Sequence, residues 1–556
     1  MKKDLLLLLL LTLPAFAWLL QPGFFPVHDD LQAMRQLEMD KCFSDLQIPC
    51  RWVSDMGYGF GFPLFNYYPP LPYLIGQPFR WLGFQFLEVV KIVGSIGFVF
   101  TAITMYLLGR EFFGRKGGLI SSLFYTYAPY HAVDYWVRGA VNEFYAMGFY
   151  PAILLGLYLL IKTGRKKYLL LSALSIAGLM LSHNLMLLIF APVGLLWCLF
   201  WMWKLKPKAV PTLSKLTLTA LWSLGLSAFF TLPVFFEQKY AHLETLTMGY
   251  FNFLAHFLNI RQIFFIPNWG YGSSELGPDS MSFFLGYLHW IIPGILFVLA
   301  IFNRKLRQHQ SLIFLLLLFT LTSLLFTHNK TTPIWNLIKP LQMLQFPWRF
   351  LTISIFCLSF ISGAIATVFN KKIWPSLILV LLLILNANYF KPRTWFPDLT
   401  DTQKFSGKSW QLLTTSGIFD YLPIFAPAPP ADAAGDNVNI INGSGSSETL
   451  KKVSNRQIYN LNITSSSAVA EVQTYYFPGW HAFIDGREQK IDPYREKLLG
   501  RIQVDVPRGL HRLDLRFTNT PIRALGNTLS LASWLAAILM LITFGKKWTK
   551  STRKLI

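Results

Sequence analysis

Residues 5–20 read LLLLLLLTLPAFAWLL, and the tripeptide HDD, His28 to Asp30, follows a few residues later. An apolar run of this length approaches the roughly 30 Å hydrocarbon core of a bilayer. Comparable runs recur through the 556 residues, of which 53% are hydrophobic and 14% are charged. A soluble protein does not need so many apolar runs. The sequence therefore predicts a polytopic α-helical membrane protein.

Hydropathy places about twelve transmembrane helices along the chain. The predicted spans are residues 4–21, 89–109, 117–133, 146–162, 168–184, 186–203, 215–236, 286–302, 310–327, 349–369, 373–390 and 524–544. The first span has a second interpretation, because MKK, the leucine run and AFA at 15–17 also resemble a cleavable signal peptide.

The net charge of +22 comes from short basic clusters between the apolar runs. They lie at residues 1–3, 109–116, 162–167, 204–208, 303–307, 370–372 and 546–554. Lys and Arg accumulate in this way in cytoplasmic loops. The pattern favours membrane topology over nucleic-acid binding. It predicts a multi-pass plasma or inner membrane protein with both termini in the cytoplasm, long loops outside and no nucleic-acid partner.

The external segment near the C-terminus changes in composition. TSSSAVAEVQTYYF, which starts at Thr464, alternates like a strand, Asp485-Gly486 is a hairpin signal, and two further alternating runs are separated by Pro507 and Gly509. The stretch before them, from Phe425 onward, is rich in Pro, Gly, Ser and Ala and predicts a loose linker.

Four units are predicted from these patterns. They are a transmembrane module, 1–390, with candidate catalytic external loops 22–88 and 134–145; a linker and irregular external segment, 391–464; an extracytoplasmic β domain, 465–523; and a last helix with a basic cytoplasmic tail, 524–556.

His28, Asp29 and Asp30 lie just outside the first span. Asp favours helix N-termini, so the pair could begin a short amphipathic helix. A carboxylate at the membrane edge could instead take a proton from an acceptor hydroxyl. Neighbouring acids also raise one another's proton affinity.

Residues 55–76, DMGYGFGFPLFNYYPPLPYLIG, are dense in Gly, Pro and aromatic side chains. An interfacial aromatic belt accounts for this composition. A semi-rigid loop lining a groove for a sugar or lipid headgroup accounts for it equally well, with Tyr67 and Tyr68 as candidate binding residues.

Polar residues at the predicted outer edges of later spans are further candidates: Arg138, Glu143, His183, Trp348 and Arg349. Structural roles as interfacial charges, anchors or packing groups explain each of them. The functional alternative is that the two arginines bind a phosphate group, whose geometry the planar guanidinium matches better than a lysine ammonium does. Cys42 and Cys50 share the first external loop, where an oxidising exterior permits a disulfide, the alternative being two free thiols.

The motifs HDD, GYGFGFPLFNYYPPLPYL, RGAVNEF, LSHN and FPWRF resemble those of the bacterial membrane family labelled 6-pyruvoyl-tetrahydropterin synthase-related. YYFPGWHAFIDGRE, with VPRGLHRLDLRF after it, is similar to the C-terminal part of YfhO-like membrane proteins. An acid after the first helix, an aromatic first loop and a terminal β domain also resemble the GT-C glycosyltransferases. The pterin label does not imply that activity, because the sequence lacks the closely spaced His or Cys ligands of a zinc site.

The resemblance implies a membrane enzyme that moves a sugar from a polyprenyl-phosphate donor to a glycan, lipid or protein acceptor. Asp29 or Asp30 matches the catalytic acid of the first loop, and Glu143 or Asp134 the acid of the second. Arg138 and Arg349 match the donor-phosphate ligands. A divalent metal is possible but not required, since the first loop lacks an Asp-x-Asp motif. The rival functions are a transporter or flippase of lipid-linked glycans and a non-catalytic assembly factor for envelope polysaccharide.

Overall fold

The computed structural model describes residues 2–267, 269–272, 280–369 and 373–552. The basic cluster predicted at 370–372 and the last residues of the basic tail lie outside the described residues.

Helices form most of the described chain. The first ten are α1 Lys2–Thr12, α2 Gln32–Ser44, α3 Leu64–Tyr67, α4 Leu71–Trp81, α5 Phe86–Thr126, α6 Pro129–Ala132, α7 Val141–Thr163, α8 Lys166–Ser182, α9 Asn184–Leu205 and α10 Ala209–Phe236. The next ten are α11 Ile260–Phe264, α12 Tyr287–Phe302, α13 Gln310–Phe326, α14 Thr332–Leu337, α15 Leu351–Ser362, α16 Ile365–Val368, α17 Ile373–Asn386, α18 Asp401–Lys404, α19 Gly407–Thr415 and α20 Pro521–Thr552.

Seven helical segments of the described chain are long and apolar enough to cross a membrane, judged by length and composition. They are Phe86–Thr126, Val141–Thr163, Asn184–Leu205, Ala209–Phe236, Arg307–Phe326, Pro347–Val368 and Pro521–Thr543. Two apolar helices, Tyr287–Phe302 and Ile373–Tyr389, are shorter. The predicted helical class is confirmed, whereas the predicted count of about twelve spans is not.

Backbone chemistry explains two departures from the predicted spans. The first span, 4–21, is helical only to Thr12 and continues as 3₁₀ turns, because Pro14 lacks the N–H that an α-helix needs. The predicted spans 89–109 and 117–133 both begin within α5. Between them Gly114 leaves helical geometry, with φ of 72°, a conformation that glycine adopts without steric cost.

Six antiparallel strands form one sheet near the C-terminus. They are β1 Asn439–Ile441, β2 Gly445–Val453, β3 Arg456–Tyr475, β4 Trp480–Ile484, β5 Arg487–Gln489 and β6 Arg501–Phe517. The order is β1-β3-β6-β4-β5, with β2 also paired to β3. Asp485 and Gly486, both at positive φ, connect β4 to β5, as the sequence predicts.

The sheet begins earlier than predicted. β1, β2 and the first part of β3 lie in the range 391–464, which the sequence predicts as a linker and irregular segment. The two predicted runs around Pro507 are one strand, β6, because the register of β3 shifts between Ile463 and Ser467 opposite it. Such an irregularity accommodates a proline, which cannot donate to the ladder.

The first loop packs against this sheet. Trp52 is buried, with its ring centroid 5.9 Å from that of Phe477 and 5.8 Å from that of Trp480. The Tyr475 amide donates to the Phe60 carbonyl at 2.9 Å. Loop and sheet therefore share one hydrophobic core.

A buried ion pair fixes α20 to the end of α10. The Arg523 Nε lies 2.9 Å from Glu237 Oε2, and their side chains are 0% and 3% exposed. Asn66 Nδ2 donates to the same carboxylate oxygen at 2.9 Å, and the Tyr67 hydroxyl donates to the Glu237 carbonyl at 2.7 Å. The first loop, α10 and α20 therefore meet at one carboxylate.

Replacing Arg523 with alanine should destabilise the protein strongly, because it leaves Glu237 buried without its charged partner. Breaking a buried pair in this way costs about 3–5 kcal/mol. The control is Arg516→Ala, which removes a 47% exposed guanidinium paired with Asp514 and should cost about 0–1 kcal/mol. Thermal unfolding of both variants in lipid nanodiscs measures the difference. Equal melting temperatures for the two variants would contradict this assignment.

Candidate active site

A cavity of about 720 Å³ lies at one end of the helical bundle, where the first loop, the start of α7 and the segment 404–421 meet. Nine of the ten residues predicted to act in catalysis or substrate binding line it: His28, Asp29, Asp30, Tyr68, Arg138, Glu143, His183, Trp348 and Arg349. The tenth, Tyr67, is not among the lining residues. Its hydroxyl instead donates a hydrogen bond to the Glu237 carbonyl.

Backbone pairing positions the two aspartates. The His28 amide donates to the Val137 carbonyl at 3.1 Å, and the Asp29 amide donates to the Arg138 carbonyl at 2.9 Å. The first loop is thereby held beside the π-helical turn Val133–Arg138 that precedes α7. The acids of one loop and the arginine of another are brought to the same cavity.

Each aspartate has a cationic partner. Asp29 Oδ2 lies 2.6 Å from Arg35 Nη1 and also accepts from Gln32 Nε2 at 3.1 Å. Asp30 Oδ2 lies 2.5 Å from Lys404 Nζ. The two carboxylate side chains are 34% and 37% exposed. Both are therefore half-buried at the cavity rather than directed into bulk solvent.

The environment of Asp30 raises the pKa of its carboxyl group above the ordinary value. Burial raises the pKa of the carboxyl group and the neighbouring Asp29 adds to the rise, while Lys404 opposes it without cancelling it. A carboxylate with a raised pKa is a better proton acceptor than an ordinary one.

Glu143 organises the opposite part of the cavity. Its Oε2 lies 3.0 Å from Arg138 Nη1 and 3.1 Å from Arg349 Nε, and its Oε1 accepts from the Tyr130 hydroxyl at 2.9 Å. Arg138 also pairs with Asp134. The Glu143 side chain is 1% exposed, so this carboxylate acts as the shared counter-ion of two arginines.

Among the described residues, the polar contacts of the two arginines use only part of their N–H donors. The contacts of Arg349 use Nε towards Glu143 and Nη1 towards the Leu344 carbonyl at 2.7 Å and Gln345 Oε1 at 3.3 Å. The polar contacts of Arg138 use Nη1. A guanidinium has five N–H donors in a planar fork, so these contacts do not exhaust either side chain.

Contacts and backbone conformation position the other predicted residues at the cavity. The Arg35 guanidinium lies 4.1 Å from the centroid of the Tyr68 ring. His28 Nε2 is 2.5 Å from the Tyr271 carbonyl oxygen, and the Trp348 ring lies 4.6 Å from that of Phe346. His183 separates α8 from α9 with an extended backbone. These contacts fix side chains that line the cavity.

Three charged residues of the cavity were not predicted from the sequence: Arg35, Lys404 and Asp420. Arg35 lies in the first turn of α2, six residues after Asp29, and this separation is not the i,i+3 or i,i+4 spacing that indicates a helical pair. Lys404 and Asp420 lie in the range predicted as a linker. Asp401 anchors that range, since its carboxylate accepts from the Phe86 and Leu87 amides at 2.7 and 3.0 Å and so caps α5.

The first loop is also cross-linked, because Cys42 and Cys50 form a disulfide. No group of three or more His, Cys, Asp or Glu in the described ranges is arranged to hold a metal ion. The described part of the chain therefore has no counterpart of a zinc-binding histidine cluster.

Comparison with known protein families identifies the family to which this chain belongs. The model of the 6-pyruvoyl-tetrahydropterin synthase related domain, described as a membrane protein, matches residues 65–391, more than half of the sequence. The protein belongs to this family. The match includes α5 to α17, the turn that carries Arg138 and the site residues Glu143, His183, Trp348 and Arg349.

Solved structures also resemble this member of the 6-pyruvoyl-tetrahydropterin synthase related family. Arabinofuranosyltransferase AftD from Mycobacteria is 14% identical with a TM-score of 0.45, and the match covers 72% of this chain and 27% of AftD. The archaeal oligosaccharyltransferase AglB from Archaeoglobus fulgidus is 12% identical with a TM-score of 0.38, over 71% of this chain and 56% of AglB. The chain thus matches about a quarter of AftD. No curated protein matches the sequence significantly.

The pKa of Asp420 predicts a pH-dependent stability. Burial raises this pKa to about 6, which Arg35 opposes and Asp29 reinforces. Because the folded state holds the proton more tightly than the unfolded state, stability falls as the pH rises from about 4 to about 6. Asp420→Asn should therefore raise the melting temperature above pH 6, and the gain should shrink towards pH 4. The control is Asp398→Asn at an exposed carboxylate, for which we expect no such gain. A gain for Asp420→Asn that is independent of pH would contradict the assignment.

Proposed function

We propose that this membrane protein is an inverting glycosyltransferase that uses a polyprenyl-phosphate sugar donor. The observation that carries the proposal is the single cavity in which Asp29 and Asp30 lie with Arg138 and Arg349. A proton acceptor can take the proton of an acceptor hydroxyl, and a pair of guanidinium groups can bind a phosphate leaving group. The GT-C resemblance of the motifs points to the same reaction.

The charge distribution supports an extracytoplasmic cavity. Helix α7 begins beside the cavity with Glu143 and ends with Lys162, which pairs with Glu111 at 2.9 Å. Lys215 Nζ donates to the Gly164 carbonyl at 2.9 Å in the same region. These contacts place the basic loop at 162–167, with Glu111 and Lys215 beside it, at the end of α7 away from the cavity. Because such loops remain in the cytoplasm, the cavity and the β domain face outward in this proposal.

Transfer proceeds in one displacement. The acceptor hydroxyl oxygen attacks the anomeric carbon, and the bond from that carbon to the phosphate oxygen breaks. Polyprenyl phosphate leaves with the bonding electrons, and Asp29 or Asp30 takes the hydroxyl proton. The half-buried positions and the raised pKa of Asp30 support this role.

Arg138 and Arg349 bind the departing phosphate in this mechanism. They come from different parts of the chain, the turn before α7 and the 3₁₀ turn before α15, and Glu143 holds both. Fixed donors stabilise charge that develops in the transition state without having to reorganise. Glu143 is accordingly a positioning residue.

Apolar side chains complete the proposed donor site. The cavity is also lined by Leu246, Tyr250, Phe251, Met281, Met343 and Phe346. Such a surface suits the first isoprene units of a lipid donor, while the aspartates and arginines suit its sugar phosphate. The sugar and the acceptor are not specified by these residues.

Replacing either aspartate with asparagine tests the mechanism. Removal of the general base should lower transfer about 10²–10⁴-fold, since asparagine keeps the shape but cannot accept the proton. The assay follows transfer of labelled sugar from polyprenyl-phosphate donors in proteoliposomes. Asp398→Asn, at an exposed carboxylate, is the matched control and should leave transfer unchanged.

The asparagine variants, the unaltered protein and a variant without the β domain together distinguish the proposed enzyme from the rival functions. Full transfer activity in both Asp29→Asn and Asp30→Asn excludes the proposed base. Retained translocation of a lipid-linked glycan, with no bond formed by the unaltered protein, identifies a flippase instead. If the unaltered protein does neither and removal of the β domain alone abolishes envelope assembly, the protein is an assembly factor.

A further inference from the structure

A second cavity, of about 670 Å³, lies between the first loop, helix α19 and the edge of the sheet. Its size is within the range of about 300–1,000 Å³ that is common for small-ligand sites. Its lining includes Trp410, Tyr58, Gln411, Lys41, Asp55 and Lys452. None of these residues lines the cavity proposed for catalysis.

Helix α19 is the wall between the two cavities. Ser409, Leu412 and Leu413 line the first cavity, whereas Trp410, Gln411 and Thr414 line the second. These two sets lie on different faces of a helix with 3.6 residues per turn. A ligand in the second cavity is therefore separated from the first by about one helix diameter, roughly 10 Å.

The aromatic residues of the second cavity are held in place. Tyr58 has a positive φ of 57°. Its amide donates to the Thr414 carbonyl at 2.9 Å, and its hydroxyl accepts from Gln411 Nε2 at 3.0 Å. Trp410 is half-buried on the same helix, with Lys41 Nζ 6.0 Å from the centroid of its ring. Two ordered aromatic rings thus face one polar space.

Both lysines of the second cavity are paired with aspartates of its lining. Lys41 pairs with Asp55, and Lys452 Nζ lies 3.7 Å from Asp436 Oδ1. The Asp45 carboxylate accepts from the Ser454 amide at 2.8 Å. Each of these lysines therefore has a carboxylate partner, and the Asp45 carboxylate has an amide donor. The lining offers both hydrogen-bond donors and acceptors, and its two lysines and three aspartates give a formal net charge of −1.

We infer that this second cavity binds a neutral oligosaccharide. Aromatic rings pack against the C–H faces of sugars, and paired charged side chains exchange hydrogen bonds with hydroxyl groups of both donor and acceptor character. Binding here does not require the transfer reaction proposed above. If both sites function, the second cavity holds part of a glycan whose end lies near the first cavity across α19.

Binding of trisaccharides by the full chain tests the inference. The probes are cellotriose, maltotriose and mannotriose, titrated calorimetrically into protein in lipid nanodiscs, since maltoside detergents carry a competing sugar headgroup. We expect at least one probe to bind and Trp410→Ala to weaken it about tenfold or more, equivalent to about 1.4 kcal/mol. Trp81→Ala, at a 66% exposed ring outside both cavities, is the matched control and should bind normally.

Two further measurements keep the outcome unambiguous. Gln411→Ala changes an exposed side chain and should weaken binding several-fold even if Trp410→Ala fails to fold. Asp29→Asn and Asp30→Asn should bind the probe normally, so loss of transfer and loss of this site are distinguishable. The inference is overturned if none of the three trisaccharides binds the unaltered protein, or if the variants of Trp410 and Gln411 that fold bind like it.

Discussion

One carboxylate, that of Glu143, holds together the part of the structure on which the candidate chemistry depends. It is buried and lies within 3.1 Å of guanidinium atoms of both Arg138 and Arg349. Charges taken out of water are costly unless each is paired and hydrogen-bonded, so none of the three side chains can be moved independently. The turn before α7, α7 itself and the turn before α15 are therefore fixed relative to one another. The arginine side of the cavity is a consequence of that constraint.

The carboxylate side of the cavity depends on elements far away in sequence. Lys404 reaches Asp30 from the segment between the helical module and the sheet, and Asp401, three residues earlier, caps the start of α5. The first loop in turn packs Trp52 into the sheet beside Phe477. The segment 404–421, which lies in the range predicted as a linker and irregular external segment, thus lines the cavity and separates it, through α19, from the second one.

Sequence patterns predicted those features that local chemistry dictates. The apolar runs predicted a helical membrane protein, and Asp485-Gly486 predicted the hairpin of β4 and β5. Of the residues singled out in the aromatic first loop and at the edges of spans, nine line the cavity. The same patterns failed where the decisive contact is distant. Lys404 and Asp420 flank the short helix α19, and their importance appears only when their partners are known. Tyr67 was predicted beside Tyr68, yet adjacent side chains point in different directions, and it binds the Glu237 carbonyl instead.

The sequence by itself determined that this chain is a helical membrane protein and which polar side chains stand at the ends of its apolar runs. Hydrophobic length and charge are local properties, and a bilayer acts on them directly. Only the tertiary structure decided which of those side chains meet. It brought Asp29 and Asp30 to Arg138 and Arg349, gave each charge a partner and recruited Lys404 from hundreds of residues away. Residues far apart in the sequence can form buried ion pairs, because the energy of such a pair depends on the distance between the charges and on their burial in the folded chain.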